Sequence, residues 1–66
     1  MKNNIKALRK KQKLTQKKLA EKTGISHQSI WKVEKGLTIP NLTIAFKLSK
    51  FFKLPIEQIF EDDSDV

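Results

Sequence analysis

The chain has 66 residues, with 14 Lys or Arg against 7 Asp or Glu, a single histidine and no cysteine. At that length one domain is expected, burying only about 60% of the surface its unfolded form exposes, which leaves little room for an enzyme pocket. The absence of cysteine excludes disulfides and thiolate zinc sites, and one histidine with no partner argues against any metal site. Stability is therefore expected from compact helix packing or from pairing with a second copy.

Charge is divided unevenly along the chain. Residues 1–36 hold eleven Lys or Arg against Glu21 and Glu34; residues 37–66 hold three Lys against Glu57, Glu61, Asp62, Asp63 and Asp65. A positive field on the first half suits a phosphate backbone, although a solvated lysine-rich surface has the same composition. Met1-Lys2-Asn3-Asn4 is too polar for a signal peptide, and no apolar run approaches the roughly 18 residues of a membrane span. A cytoplasmic protein with no membrane partner is expected.

Asn3 or Asn4 can cap a first helix running to about Lys11. On its wheel Ile5, Leu8, Arg9 and Gln12 share one face. Arg9 is then a charge on the inward stripe, costly unless a partner meets it there. Glu34, beside Ile30 on the inward side of the third helix, is the expected partner, in preference to a DNA phosphate. Lys11-Gln12-Lys13-Leu14 makes a turn in which Leu14 is expected to be buried.

Thr15 and Ser26 each stand where an N-cap belongs, because a hydroxyl there accepts from unpaired N–H groups of the first turn. Between them a second helix, about Gln16–Thr23, carries Leu19 and Ala20 inward, and Gly24 marks a tight turn. A third helix follows, its apolar positions Ile30 and Val33 at helical spacing. Two amphipathic helices meeting across three residues are the layout of a helix-turn-helix, whose second helix is built for a DNA major groove. With Ile30 inward, Val33 and Glu34 also face in. Gln28, Lys32 and Lys35 point away, rimmed by His27, Ser29 and Trp31.

Those outward side chains suit base reading. A glutamine can pair bidentately with adenine, and a lysine can donate to guanine O6 and N7. Gln28 is the leading base reader, while His27 and Ser29 suit a base edge or a phosphate. Trp31 suits a thymine methyl or the sugar backbone; an interface with another protein and partial burial against the second helix are the alternatives. The N-terminus of the second helix carries partial positive charge, which makes Gln16 and Lys17 candidates for a phosphate.

Gly36 suits a left-handed C′ position closing the third helix, and Leu37–Pro40 reads as a loop. Asn41 can cap a fourth helix from Leu42 to about Phe52, with Leu42, Ala45, Leu48 and Phe52 as its core stripe. Ile44, Phe46 and Phe51 widen the apolar surface beyond one stripe, so either a fifth helix or another copy covers them. Pro55 suits the first turn of that fifth helix, in which Ile56, Ile59 and Phe60 close the core. Glu61–Val66 reads as a frayed acidic tail, the folded part being about residues 3–60.

The residues Ile5-Lys6-Ala7-Leu8-Arg9, Leu14-Thr15-Gln16, Leu19-Ala20, Gly24-Ile25-Ser26, Gln28-Ser29-Ile30, Val33-Glu34, Gly36, Pro40-Asn41-Leu42 and Ile56–Phe60 together resemble the Cro/CI-type, XRE-like helix-turn-helix regulators. The resemblance spans about residues 3–60. It implies an all-α, compact five-helix, lambda-repressor-like DNA-binding domain with the helix-turn-helix in helices 2 and 3. It also implies that Gln16 touches a phosphate and steadies the third helix, that Arg9 and Glu34 form a structural pair, and that the loop before the fourth helix runs along the DNA backbone. Trp31 departs from the family, where a small or polar residue is commoner, and apolar Leu37 and Ile39 replace the basic residues frequent in that loop.

The expected DNA-binding residues are Thr15, Gln16, Lys17, His27, Gln28, Ser29, Trp31, Lys32, Lys35, Thr38 and Asn41. The expected function is that of a transcriptional regulator, a repressor, binding double-stranded DNA as a homodimer with residues 27–35 in the major groove. It needs no cofactor and no small-molecule substrate. A protein-binding module, such as the antitoxin of a toxin–antitoxin pair, is the alternative, and non-specific lysine-driven binding a third. An enzyme is not expected, because no nucleophile–base pair or metal-ligand set can be assembled in the basic half.

Overall fold

In the computed structural model, which describes residues 2–61, the helices form in sequence order: α1 (Ile5–Lys11), α2 (Gln16–Thr23), α3 (His27–Glu34), α4 (Leu42–Phe52) and α5 (Ile56–Ile59). Each of the five contributes one side chain with no solvent exposure, namely Ile5, Leu19, Ile30, Leu48 and Ile59. Ala20, Ile25, Val33, Ala45, Phe52 and Phe60 complete the core, with Leu8, Leu14, Ile44, Phe51, Leu54 and Ile56 packed partly buried against it. Ile44 and Phe51 are half-buried against this core, and Phe51 lines a hollow with Lys22 and Thr23, so α2 flanks it in addition to the core. Phe51 and Phe52 meet edge to face, ring centres 5.1 Å apart, a favoured aromatic geometry.

Local chemistry sets the helix ends. The Thr15 and Ser26 hydroxyls accept from the amides of Lys18 and Ser29, and Asn41 Oδ1 accepts from Ile44 N at 2.8 Å. Gly24 (φ +75°) and Gly36 (φ +76°) occupy the left-handed region, where glycine meets no Cβ penalty. Lys13 (φ 59°), inside the turn expected at Lys11–Leu14, and Lys53 (φ 56°) also occupy it, and the left-handed conformation was legible at neither because lysine does not advertise it. Between them, α1 ends when Leu14 N reaches back to Arg9 O, and α4 ends when Leu54 N reaches Ser49 O.

A minor feature accompanies the helices: β1 (Lys2–Asn3) pairs antiparallel with β2 (Phe60–Glu61), Lys2 opposite Glu61 and Asn3 opposite Phe60. Asn4 extends this clasp through N–H to Ile59 O at 2.8 Å and side-chain amide to Gln58 O. Asn4 therefore stands at the start of α1 without a side-chain cap bond, while Asn3 Oδ1 accepts from Ile5 N.

Five expectations need correction. Leu42 is 67% exposed because, as the first residue of α4, it overhangs the core that begins at Ala45. Gln12 is exposed, since α1 stops at Lys11 before that turn of the wheel is used. Pro55 precedes the first turn of α5 as its N-cap residue, and Phe60 reaches the core from β2 rather than from a helix. Glu61 is held in β2, whereas the rest of the expected acidic tail lies outside the described residues.

Candidate nucleic-acid interface

The orientation of α3 follows from its apolar pair. Ile30 and Val33 are buried at 0% and 3% exposure, which turns Gln28, Lys32 and Lys35 outward, all exposed. Ser26 fixes the start of the helix: its Oγ accepts from Ser29 N at 3.1 Å and its hydroxyl donates to Ser29 Oγ at 2.8 Å. Ser29 is consequently half-buried with its hydroxyl oxygen engaged.

Glu34 faces inward to Arg9. Arg9 Nη2 donates to Glu34 Oε1 at 2.7 Å and Nε to Oε2 at 3.2 Å, and Nη1 donates to Leu14 O at 2.9 Å. Both side chains are nearly buried, 10% and 6% exposed. This two-point pairing, of the fork-to-fork kind, locks α1 and the turn after it to the C-terminal end of α3. Asn3 adds a second tie to that end by donating to Val33 O at 2.9 Å. The helix presented to solvent is thus held from behind at several points, which limits the entropy lost when it docks.

His27, Gln28, Trp31 and Lys32 line one shallow cavity of ≈ 330 Å³ on the outward face. Trp31, 43% exposed, is also a wall of a neighbouring cavity of ≈ 470 Å³ lined by Lys6, Arg9, Gln16, Glu34 and Lys35. The indole therefore borders both hollows and keeps nearly half of its surface in solvent. Gln16 and His27 are joined across the two helices, His27 Nε2 to Gln16 Oε1 at 3.3 Å. That bond leaves the Gln16 amide N–H groups free to donate outward.

Thr15, Lys17, Thr38 and Asn41 are exposed and lie around these hollows in sequence without lining them. Thr15 uses its oxygen to cap α2 and keeps its O–H to donate; Asn41 uses Oδ1 to cap α4 and keeps its amide N–H groups. Lys6 was not singled out from the sequence, yet it shares the hollow of Gln16, Trp31 and Lys35. Its place three residues before the inward Arg9 on α1 was the available signal. No grouping of His, Cys, Asp and Glu able to hold a metal occurs among the described residues, and no helix there is long and apolar enough to cross a membrane.

A capped two-helix unit with its second helix braced inward and turned polar side out defines a helix-turn-helix DNA-binding protein. The chain belongs to the Cro/CI-type, XRE-like family of helix-turn-helix transcriptional regulators: residues 5–59 match the helix-turn-helix family. It is 51% identical over 65 residues to an uncharacterized HTH-type transcriptional regulator of Methanocaldococcus jannaschii, covering 96% of this chain and 98% of that protein. It is 38% identical to the uncharacterized HTH-type transcriptional regulator YgzD of Bacillus subtilis, over 91% of each chain. An uncharacterized HTH-type transcriptional regulator of Archaeoglobus fulgidus is 37% identical, over 98% of this chain and 92% of its own. The protein is accordingly a DNA-binding regulator of a family typically without enzymatic activity.

Proposed function

We propose that the protein is a sequence-specific repressor that binds a two-fold operator as a homodimer, with α3 of each copy in a major groove. The supporting observation is the outward presentation of Gln28 and Lys32 on a helix whose opposite side is pinned by Ile30, Val33 and the Arg9–Glu34 pair. Gln28 reads adenine and Lys32 guanine through the major-groove edges. Trp31 meets a thymine methyl or the sugar between them, and His27, oriented by Gln16, reads an edge or a phosphate. Ser29, Lys35, Thr38 and Asn41 join Thr15, Gln16 and Lys17 in holding the backbone, which sets register without reading sequence.

Regulation follows from occupancy, the bound pair covering a promoter. Selection of random duplexes by the purified protein tests this reading. It yields an inverted repeat whose half-sites lie about 34 Å apart, one helical turn. Equal recovery of every sequence, with the steep salt dependence of counterion release, would instead mark a non-specific lysine-driven binder. The antitoxin alternative draws on Trp31, which is exposed; the Ile44 and Phe51 surface is already packed against the core.

A further inference from the structure

His27 is the single histidine of the chain. It is the first residue of α3, after the Ser26 cap, and stands exposed in the hollow it shares with Gln28, Trp31 and Lys32. Its Nε2 lies 3.3 Å from Gln16 Oε1, and among the described residues this is the only hydrogen bond of the ring. An amide oxygen can only accept, so the nitrogen facing it carries a proton. In a neutral imidazole one nitrogen donates and the other accepts. A proton fixed on Nε2 therefore leaves Nδ1 with a bare lone pair.

The two protonation states then offer DNA opposite chemistry at one atom. Neutral His27 presents an acceptor at Nδ1, whereas the imidazolium presents Nδ1–H, a donor. The bond to Gln16 survives the change, because Nε2 donates in both states. The ring changes what it can read without changing where it stands. In the major groove cytosine offers only a donor, its N4 amine, and guanine only acceptors, O6 and N7. These two bases separate the states most cleanly.

Neighbouring charges do not duplicate this behaviour. On α3 Lys32 shares the hollow of the ring, and on α2 Lys17 follows Gln16. Beyond Gln16 the adjoining hollow brings Lys6 and Arg9 of α1 together with Glu34 and Lys35. Lysine and arginine ordinarily titrate above about pH 10, and Glu34 is committed to Arg9 at 2.7 Å. Histidine is the side chain that ordinarily changes charge between about pH 5 and 8.

We propose that His27 selects the base at one operator position through Nδ1, accepting from cytosine N4 when neutral and donating to guanine when protonated, so that pH inverts the preference there. The proposal rests on the operator-binding reading above and deepens it. Gln28 and Lys32, which do not change charge with the ring, keep their own positions at either pH.

The test is selection of random duplexes by the whole chain and by His27→Gln at about pH 8 and about pH 5.5, either side of the ordinary histidine range. His27 is exposed, so the variant keeps the fold, checked by circular dichroism. In the parent chain one position of each half-site turns from cytosine to guanine as pH falls, and the rest of the motif is unchanged. For duplexes differing only there, the affinity ratio of guanine over cytosine rises at least about tenfold, the worth of one hydrogen bond to a charged group. The ratio cancels the general gain in affinity that added positive charge brings. His27→Gln, whose carboxamide donates and accepts at every pH, holds the ratio constant.

A constant ratio in the parent overturns the proposal, as does an equal change in His27→Gln. A gain at low pH shared by every duplex marks a phosphate contact and overturns it too. Nitrogen NMR of the one histidine gives a readout independent of affinity: at about pH 8 the free protein carries its ring proton on Nε2, and a proton on Nδ1 instead overturns the assignment. Absence of any motif at either pH sinks the operator reading and the proposal with it, whereas a motif without a pH-dependent position sinks the proposal alone.

Discussion

Glu34→Ala removes one partner of the pair that fastens α1 to α3. Arg9 is left with the Leu14 carbonyl as its only bonded acceptor among the described residues, in a site where its side chain is 10% exposed. Breaking a buried pair by deleting one member costs about 3–5 kcal/mol, because the surviving charge stays desolvated. The lower end applies to Glu34→Ala, since Arg9 borders the open hollow shared with Lys6 and Lys35 and its long stem can bring the guanidinium to water. Arg9→Ala sits at the upper end: the Glu34 side chain, 6% exposed, lines the same hollow but is too short to bring its charge as far into water, and three hydrogen bonds are lost together.

Set against a total stability of roughly 3–10 kcal/mol for 66 residues, either change removes a large share of the folded population. Urea unfolding of the two single variants and of the apolar pair Arg9→Met, Glu34→Leu forms the decisive set. The apolar pair is expected within about 1 kcal/mol of the parent or above it, because replacing both charges removes their desolvation along with their attraction. Single-variant losses below about 1 kcal/mol, the range of an exposed pair, would refute the reasoning.

Three further outcomes follow from other residues. Gln28→Ala should relax one operator position and cost about 1–3 kcal/mol there, whereas Lys17→Ala should weaken all duplexes alike and lower the salt slope by about 1; equal responses in a salt titration would contradict the division between reader and clamp. Lys53→Gly, at φ 56°, should stabilise by about 1 kcal/mol by relieving the left-handed strain, seen as a thermal midpoint about 4–8 °C higher; no rise would show that lysine is unstrained there. Asn3→Ala loses the bonds to Val33 O and from Ile5 N, about 1–2 kcal/mol at an ordinary net value per bond, and a chemical-denaturation midpoint equal to the parent's would count against that tie.

What could be read from the amino acids was whatever depends on helical period and capping. The Thr15, Ser26 and Asn41 caps and the bounds of α2 follow from residues three or four positions apart, and the same period turns Arg9 and Glu34 each inward, although their pairing spans 25 positions. The terminal clasp did not show, because two-residue strands at Lys2–Asn3 and Phe60–Glu61 have no period to detect and their partners are at opposite ends of the chain. Leu42 was misplaced because a wheel gives the side a residue faces but not whether anything lies beyond the helix end to cover it. In the interface, the outward set on α3 was legible from Ile30 and Val33. The His27–Gln16 bond and the shared hollow of Lys6, Gln16 and Lys35 depend on how α1, α2 and α3 are stacked, which no local pattern encodes.

The central claim is that the outward side of α3 is the surface that meets DNA. Titrating isotope-labelled protein with its selected duplex and following every backbone amide by NMR measures this directly. The account predicts the largest shift changes at His27–Lys35 and Thr15–Lys17, with core amides such as those of Leu48 and Ile59 little moved. Changes confined to α4 and α5, with Gln28 and Lys32 undisturbed at saturation, would contradict it.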